Sequence, residues 1–170
     1  MAFALLAGCG RLDFDPAALS AIDAGPDARV FPLPPTSQAD CPPNYTFELA
    51  SCYFYEANLS VDWLTAERNC EAVGAHLVVV TDAPEAMKVD MLPPGNIVDH
   101  WYGGSDRITD GTFITVTGEP LVPAFDPGEP MSGKHCLQLL DNTNINTAQC
   151  TDTNNYVCEL DGRPPIEANF

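Results

Sequence analysis

The segment that decides the fold is residues 60–74, which read SVDWLTAERNCEAVG. Apolar residues recur in it at the spacing of a helix with one buried face, namely Trp63, Ala66, Cys70 and Val73. Ser60 is a residue type that caps helix N-termini, and Gly74 is typical of the position just after a helix end. The pattern therefore predicts a helix that carries a cysteine on its buried side.

A second helix and several short strands are predicted around this segment. Residues 81–92 form a helical pattern with Pro84 in the first turn, and the Pro-Pro-Gly sequence at 93–95 ends it. Residues 118–135 are rich in proline and glycine and predict a long loop. Strands are predicted by short β-prone or apolar runs at residues 51–58, 77–80, 101–104, 112–117, 136–140 and 155–160.

Seven cysteines are a high number for a cytosolic protein of 170 residues. Six of them lie within residues 41–158, which predicts three disulfides formed in an oxidising compartment. Six cysteines permit about fifteen pairings, so the count alone leaves the connectivity open. The sequence contains no close Cys-x-x-Cys pair, and its three histidines show no metal-ligand spacing.

The order of these landmarks resembles the C-type lectin-like domain family over residues 41–160. The matching features are the helix ending in Cys70, then Gly74 and Leu77, Trp101-Tyr102-Gly103, Asp110-Gly111 and Tyr156-Val157-Cys158-Glu159. The resemblance implies an α+β fold of two helices, two small antiparallel sheets, a long irregular loop region and three disulfides. It implies the pairs Cys41–Cys52, Cys70–Cys158 and Cys136–Cys150, and it leaves residues 161–170 as a C-terminal tail.

Lectins of this family bind sugar through a calcium ion held in the long loop, and the resemblance places that site between residues 129 and 147. Glu129 and Pro130 retain the first motif, with a cis peptide bond implied between them, and Asn146 retains part of the last. Calcium takes six to eight oxygen ligands. The usual ligands are replaced at three positions, by Met131, Lys134 and Thr147. The resemblance therefore implies no cofactor, and calcium is only a secondary possibility.

Two acids match an auxiliary calcium position found in some members of the family. These are Asp106 and Asp110, which without their usual partners predict at most a weak metal site together with Glu129 and Asn146. The alternative is that Asp106, Asp110 and Glu129 are ordinary solvated or turn-forming acids that bind no metal. The predicted ligand-binding residues are Glu129, Pro130, Asp141, Asn142 and Asn146.

Charge and motifs limit the function. The formal net charge of −17 repels phosphate backbones, which excludes nucleic acid as a partner. No hydrolase, protease or phosphate-binding motif is present, so the chain is not expected to be an enzyme. We expect a module that binds a glycan or a protein through its long loop without the usual calcium site. The alternative is a calcium-dependent lectin with atypical ligands such as Asp141, Asn142 or Asn144.

The sequence of the first forty residues predicts an export signal followed by a linker. Residues 1–9 are apolar and end in Leu-Ala-Gly-Cys, which looks like a bacterial lipobox with lipidation at Cys9. An ordinary buried cysteine is the alternative, because no basic residue precedes Cys9. Residues 10–40 are rich in proline, alanine and aspartate and predict a disordered linker. These features predict a lipoprotein of the bacterial cell envelope, facing the periplasm or exterior and touching the membrane only through this lipid.

Overall fold

The computed structural model describes residues 32–92, 99–122, 124–140 and 143–170. Cys9, Asp141 and Asn142 lie outside the described residues. The helices and strands are, in chain order, β1 (Thr46–Glu48), β2 (Ser51–Val61), α1 (Trp63–Glu71), β3 (His76–Leu77), α2 (Ala83–Asp90), β4 (His100–Ser105), β5 (Ile114–Thr115), β6 (Cys136–Leu139), β7 (Ile145–Ala148) and β8 (Asn154–Leu160). Neither helix of the described residues has the length and apolar character that crossing a membrane requires.

The eight strands form one connected sheet in the order β1-β2-β8-β4-β6-β7, with β3 paired to β8 and β5 paired to β4. All pairings are antiparallel except that of β4 with β8. That parallel contact places His100 beside Asn155 and Trp101 beside Tyr156. The two antiparallel groups expected from the sequence are therefore joined at their centre into a single sheet.

The N-cap of helix α1 lies two residues later in the chain than the N-cap predicted from the sequence. Its N-cap is Asp62, whose carboxylate accepts hydrogen bonds from the Thr65 backbone N–H at 3.0 Å and the Thr65 hydroxyl at 2.6 Å. Ser60 instead lies in β2, which continues as far as Val61. Because β2 pairs with β8 up to Val61 and Asn154, the chain stays extended past the serine and the aspartate caps the helix.

The buried face of α1 packs against the sheet as its apolar spacing predicted, except that Val73 lies beyond the end of the helix and is 52% exposed. Trp63, Ala66 and Cys70 are fully buried. The Trp63 indole N–H donates to the Tyr102 carbonyl of β4 at 2.8 Å, which satisfies its one polar atom. Gly74 follows the helix with a φ of +78°, in the left-handed region that favours glycine.

Two predicted strands are shorter than their sequence patterns. Of residues 77–80, only Leu77 lies in a strand, β3, although all four residues are buried. The remainder is held by single contacts, including the Val78 N–H to the Val157 carbonyl at 2.9 Å. Of residues 112–117, only Ile114 and Thr115 form a strand, β5, although the Val116 N–H also donates to the Gly103 carbonyl of β4 at 2.9 Å. Helix α2 ends at Asp90, close to the predicted boundary.

The three disulfides join the pairs that the resemblance implied: Cys41–Cys52, Cys70–Cys158 and Cys136–Cys150. The Cys70–Cys158 bond spans 88 residues and connects α1 to β8. The Cys136–Cys150 bond closes 14 residues and encloses β6, β7 and the segment between them. The disulfides therefore tie both the helix and the loop-bearing strands to the sheet.

Both ends of the described chain lie against the domain. Residues 38–40 of the predicted linker form a short 3-10 helix, and the Gln38 side chain bonds the Tyr45 carbonyl and the Phe47 N–H, each at 2.9 Å. In the C-terminal tail, the Ile166 N–H donates to the Val116 carbonyl at 2.7 Å. Phe170 packs edge-on against the Trp63 ring at 6.2 Å. Residues 32–40 and 161–170 therefore add contacts to the domain at its two ends.

Four ionisable side chains lie together in the core: Glu67, His76, Glu159 and Asp161. One ring nitrogen of His76 donates to the Leu77 carbonyl at 2.8 Å, and the other lies 3.2 Å from the Asp161 carboxylate. Glu67 accepts the Leu77 N–H at 2.8 Å. Because both ring nitrogens of His76 face acceptors, the imidazole is held as a cation among acids.

Burial and charge raise the pKa of Glu67, Glu159 and His76, whereas the contact with His76 lowers the pKa of Asp161. Burial raises the pKa of the Glu67 carboxyl from 4.5 to about 7. Burial alone would lower the pKa of His76, but the hydrogen bond to Asp161 and the charges of Glu159 and Asp161 outweigh it. Together they raise the pKa of His76 from 6.5 to about 9. The folded chain therefore holds protons that the unfolded chain releases.

The free energy of unfolding is expected to fall as the pH rises from 4.5 to 9. Glu67 and Glu159 act over the lower part of this range and His76 over the part above 6.5, because each keeps its proton to a higher pH when folded. Urea unfolding followed by tryptophan fluorescence measures this slope. The Glu67→Gln variant keeps an acceptor for the Leu77 N–H and should flatten the lower part. Stability that increases over the window contradicts the assignment.

Removing the Cys70–Cys158 bond by a double alanine substitution should cost more stability than removing Cys41–Cys52. The chain-entropy relation gives about 4.6 kcal/mol for the longer loop and about 2.8 kcal/mol for the shorter one. Chemical denaturation of the two double variants measures the difference. Equal losses would show that the bonds act through native packing rather than through the length of chain that each closes.

Candidate functional site

The long loop, residues 118–135, leaves β5 and returns to the sheet at β6. It is attached to the scaffold at several backbone positions. The Tyr102 hydroxyl of β4 donates to the Val122 carbonyl at 2.6 Å. Ile145 of β7 exchanges hydrogen bonds with the loop on both sides of Phe125, at 3.0 Å to the Ala124 carbonyl and 2.8 Å from the Asp126 N–H. The described part of the loop is therefore bonded to two strands.

The Glu129 carboxylate is the centre of the loop's polar contacts. The Glu129–Pro130 peptide bond is cis, as the resemblance implied. One carboxylate oxygen of Glu129 accepts hydrogen bonds from the backbone N–H groups of Met131 and Thr147, each at 3.0 Å. The same oxygen accepts the Thr147 hydroxyl. The Met131 N–H also donates to that hydroxyl at 2.9 Å. Glu129, Met131 and Thr147 are therefore all hydrogen-bonded to one another.

Thr147 belongs to β7 and is 1% exposed, so this set lies where the loop meets the sheet. Strand β7 pairs with β6 through Thr147 and Leu137, which fixes the position of the threonine. Because the donors point at the carboxylate from a rigid strand, the loop is held to the sheet by charge-assisted hydrogen bonds. No ion is needed to satisfy this oxygen of Glu129.

The donor set does not fit calcium. A calcium ion needs six to eight oxygen ligands, and the N–H and O–H donors around Glu129 already use one of its two carboxylate oxygens. Met131 contributes a thioether side chain that is 49% exposed, and thioethers are soft ligands that a hard cation disfavours. Asn146 keeps one buried amide oxygen without a hydrogen-bond partner among the described residues. One free amide oxygen is far short of a calcium shell.

The auxiliary acids lie at a second position, at the end of β4. Asp106 is 3% exposed and accepts the Gly111 N–H at 2.7 Å, whereas Asp110 is 89% exposed. The ring nitrogen Nδ1 of His135 lies 2.9 Å from Asp106 and 3.8 Å from Asp110. The structure therefore brings the two predicted acids together with a histidine that the sequence pattern did not include among the candidates.

A shallow cleft of about 320 Å³ lies beside this cluster. Gln149 and Cys150 form part of its wall, and Gln149 donates from its side-chain amide to the Gly133 carbonyl at 2.9 Å. The Asp106 N–H donates to the His135 carbonyl at 3.0 Å, so the backbone of the two residues is joined as well. The cleft thus lies next to the C-terminal end of the long loop.

The sequence matches the family described as "Lectin C-type domain" over residues 59–160, which is more than half of the chain. This chain belongs to the C-type lectin domain family. Among curated relatives of the domain, human "C-type lectin domain family 4 member E" is 31% identical over 136 residues. The match covers 74% of this chain and 61% of that protein, so the lectin chain spans less than two thirds of the relative's length.

Solved structures show the same fold. The human scavenger receptor C-type lectin carbohydrate-recognition domain is 25% identical, with a TM-score of 0.65, over 71% of this lectin chain and 98% of that one. A structure described as a calcium-independent type II antifreeze protein is 23% identical, with a TM-score of 0.64, over 74% of this chain and 95% of that one. The second likeness concerns the fold alone.

The predicted bacterial location of this lectin domain is wrong. The relatives that carry the match are animal proteins, including the two human proteins just described. The prediction depended on residues 1–9, a short apolar run without a basic residue, which is a weak signal for export. Cys9 lies outside the described residues, so the structure does not test its lipidation. The expectation of a binding domain rather than an enzyme agrees with relatives that are named as lectins.

Two residues of the lectin's site had roles that the sequence pattern did not reveal. Thr147 was predicted only as a lost calcium ligand, whereas it is the main hydrogen-bond donor to Glu129. His135 is one of the three histidines whose spacing predicted no metal-ligand role, whereas its ring contacts Asp106. A hydroxyl that replaces an acid opposite a retained carboxylate is a signal for the first contact. No local signal links His135 to Asp106, which lies 29 residues earlier.

The Thr147→Val substitution removes the hydroxyl donor to Glu129 with little change in shape. We expect it to lower the free energy of unfolding by about 1.5–3 kcal/mol, the range for hydrogen bonds to charged groups. Thr117→Val is the matched control, because the Thr117 hydroxyl is buried without a hydrogen-bond partner among the described residues. Denaturant unfolding compares the two variants, and an equal effect in both contradicts a special role for Thr147.

Proposed function

We propose that this C-type lectin domain is a recognition module that binds a glycan or protein ligand through its long loop without calcium. The observation that carries the proposal is the bonding of the Glu129 carboxylate by Thr147 and by two backbone N–H groups. These contacts give the loop a defined shape without a metal. A pre-shaped loop binds with less loss of conformational entropy.

The exposed surface of the loop supports contact with an uncharged ligand. Residues 130–133 are exposed, and they include the apolar side chains of Pro130 and Met131. Apolar side chains of this kind pack against the C–H faces of sugars or against apolar side chains of a protein. The net charge of −17 disfavours sulfated and phosphorylated ligands. A neutral glycan is therefore the preferred ligand class.

The comparisons support recognition of a glycan at a coarse level. The human scavenger receptor domain is described as a carbohydrate-recognition domain, and it is the basis for preferring a sugar over a protein. The antifreeze protein with the same fold is described as calcium-independent, so this architecture is compatible with a metal-free loop. Neither description identifies the ligand of this chain.

A calcium-dependent lectin with atypical ligands is the second candidate. The buried amide oxygen of Asn146, which has no hydrogen-bond partner among the described residues, favours it. Asp141 and Asn142, the acid and amide expected to help it, lie outside the described residues. In this candidate the ion would bind the other oxygen of Glu129, because one oxygen already accepts the Thr147 hydroxyl.

Binding of the full chain to an array of neutral and sulfated glycans, in EDTA and in millimolar calcium, separates the two candidates. We expect binding to neutral glycans of equal strength in both buffers. Calorimetric titration with calcium alone is expected to give no heat. Binding that appears only with calcium overturns the calcium-free proposal and supports the second candidate. If no glycan binds and a protein ligand is captured in EDTA, the ligand class of the domain is a protein and not a sugar.

The Met131→Ala variant tests whether the loop is the contact surface. We expect about tenfold weaker binding to the strongest glycan of the array, because an exposed apolar contact is lost. Met87→Ala on α2 is the control, since Met87 is similarly exposed, at 56% against 49% for Met131. A loss of affinity in the Met87 variant alone would move the binding surface away from the long loop.

A further inference from the structure

Three side chains with metal-ligating atoms converge beside the cleft at the end of β4. They are Asp106, Asp110 and His135, and one ligand atom from each lies within 4.8 Å of the other two. Two of the separations are 2.9 Å and 3.8 Å, from the His135 nitrogen to the two carboxylates. The Glu129 set described above shares none of these residues.

The spacing suits a small tetrahedral ion. Zinc binds nitrogen and oxygen at about 2.0–2.2 Å, which places neighbouring ligand atoms about 3.3 Å apart in a tetrahedron. The separations of 2.9 Å and 3.8 Å lie on either side of that value. Asp110 lies in the turn at residues 109–112 and is 89% exposed, so its side chain is free to adjust. Only small rotations are needed to reach the geometry of zinc.

The chemistry of the donors favours zinc over calcium. Calcium and magnesium prefer shells made of oxygen, whereas an imidazole nitrogen suits zinc and other transition metals. Two carboxylates and one neutral imidazole carry a charge of about −2, which a divalent zinc ion balances. Three protein ligands are the usual number for a zinc site with an open fourth position, and here the cleft lies beside the cluster.

The cluster is held in place before any ion binds. The second oxygen of Asp106 accepts the Gly111 N–H at 2.7 Å, which orients the carboxylate. The Asp106 N–H donates to the His135 carbonyl at 3.0 Å. His135 precedes Cys136, which is bonded to Cys150 and paired with Ser105. Two of the three ligands are therefore fixed by backbone contacts, and only Asp110 must move.

Accessibility singles out this histidine. The chain has three histidines, and both His76 and His100 are 1% exposed in the core. The side chain of His135 is 39% exposed. An ion arriving from solvent therefore meets His135 as the one imidazole that it can reach without unfolding the domain.

We infer that Asp106, Asp110 and His135 form a zinc site that joins the end of β4 to the last residue before β6. The ion binds the Nδ1 atom of His135 and one oxygen of each carboxylate, and a water molecule or a ligand group takes the fourth position in the cleft. Zinc thereby replaces the hydrogen bond between His135 and Asp106 with two metal bonds. The site is independent of the proposed loop function, because it uses none of the residues around Glu129.

Calorimetric titration of the metal-stripped full chain with zinc chloride tests the site. The chain carries Cys9→Ser, because a free thiol is itself a zinc ligand. We expect one zinc ion per chain, no heat with calcium, and a melting temperature that rises with zinc concentration. Cobalt in place of zinc should give the visible absorption of a tetrahedral nitrogen and oxygen site, and zinc should abolish it. No glycan is present, so failure here is distinct from failure of the proposed function.

Two variants and a control complete the test. His135→Asn keeps a hydrogen-bond donor to Asp106 but lacks the imidazole, and Asp110→Asn changes a side chain that is 89% exposed, so we expect it to leave folding unchanged. Each should weaken zinc binding about 100-fold or more, since even indirect partners of zinc ligands matter by 10–100-fold. Asp152→Asn removes an exposed acid that is not part of the cluster, and it should leave zinc binding unchanged. Equal zinc affinity in all variants, or no zinc binding by the parent chain, would falsify the site.

Discussion

Strand β8 is the constraint on which the rest of the structure depends. It pairs with β2, β3 and β4, and the Cys70–Cys158 bond attaches α1 to it. The strand is therefore in contact with both antiparallel groups and with the first helix. Crosslinking residues 88 apart removes much of the freedom of the unfolded chain, so the bond favours the folded state most where the loop is longest. The loop-bearing strands β6 and β7 reach this centre through β4.

On this scaffold the long loop is shaped by hydrogen bonds. The Glu129 carboxylate receives its donors from β7 and from the loop itself, and a charged acceptor roughly doubles the strength of each bond. Thr147 is buried, so water does not compete for the contact. A polar set of this kind specifies one geometry only when every member is satisfied, and the members around Glu129 satisfy one another. The second cluster, around His135, lies at the C-terminal end of the same loop and shares no residue with the set around Glu129.

Much of the fold could be predicted from the sequence because its signals are local or belong to the family pattern. The helical spacing of Trp63, Ala66 and Cys70 predicted α1 and its buried face, and the resemblance supplied the disulfide pairs. The cap of α1 was predicted at Ser60 rather than Asp62, because strand pairing extended β2 beyond the serine. Local propensity could not indicate that tertiary pairing would decide between two good capping residues.

The candidate site was predicted less completely, for a different physical reason. The sequence showed which calcium ligands were replaced, but the partner of each remaining acid depends on contacts between residues 18 and 29 positions apart. Such contacts arise from sheet register and loop path, which no short pattern encodes. The bacterial location was predicted wrongly because residues 1–9 carry too few features to identify the kind of cell that exports the chain. Compositional signals are weakest in short segments.

The hydrogen bond from Thr147 to Glu129 has a consequence for how a bound ligand leaves. Where a loop is held by an ion, chelation or acidification opens it and releases its cargo. The Thr147 hydroxyl is part of the chain and cannot dissociate as an ion can, so the shape of this loop does not depend on the metal concentration of the solution. If the loop binds the ligand that we propose, a change in dissolved ions would not release that ligand, and its dissociation rate alone would set how long it stays bound.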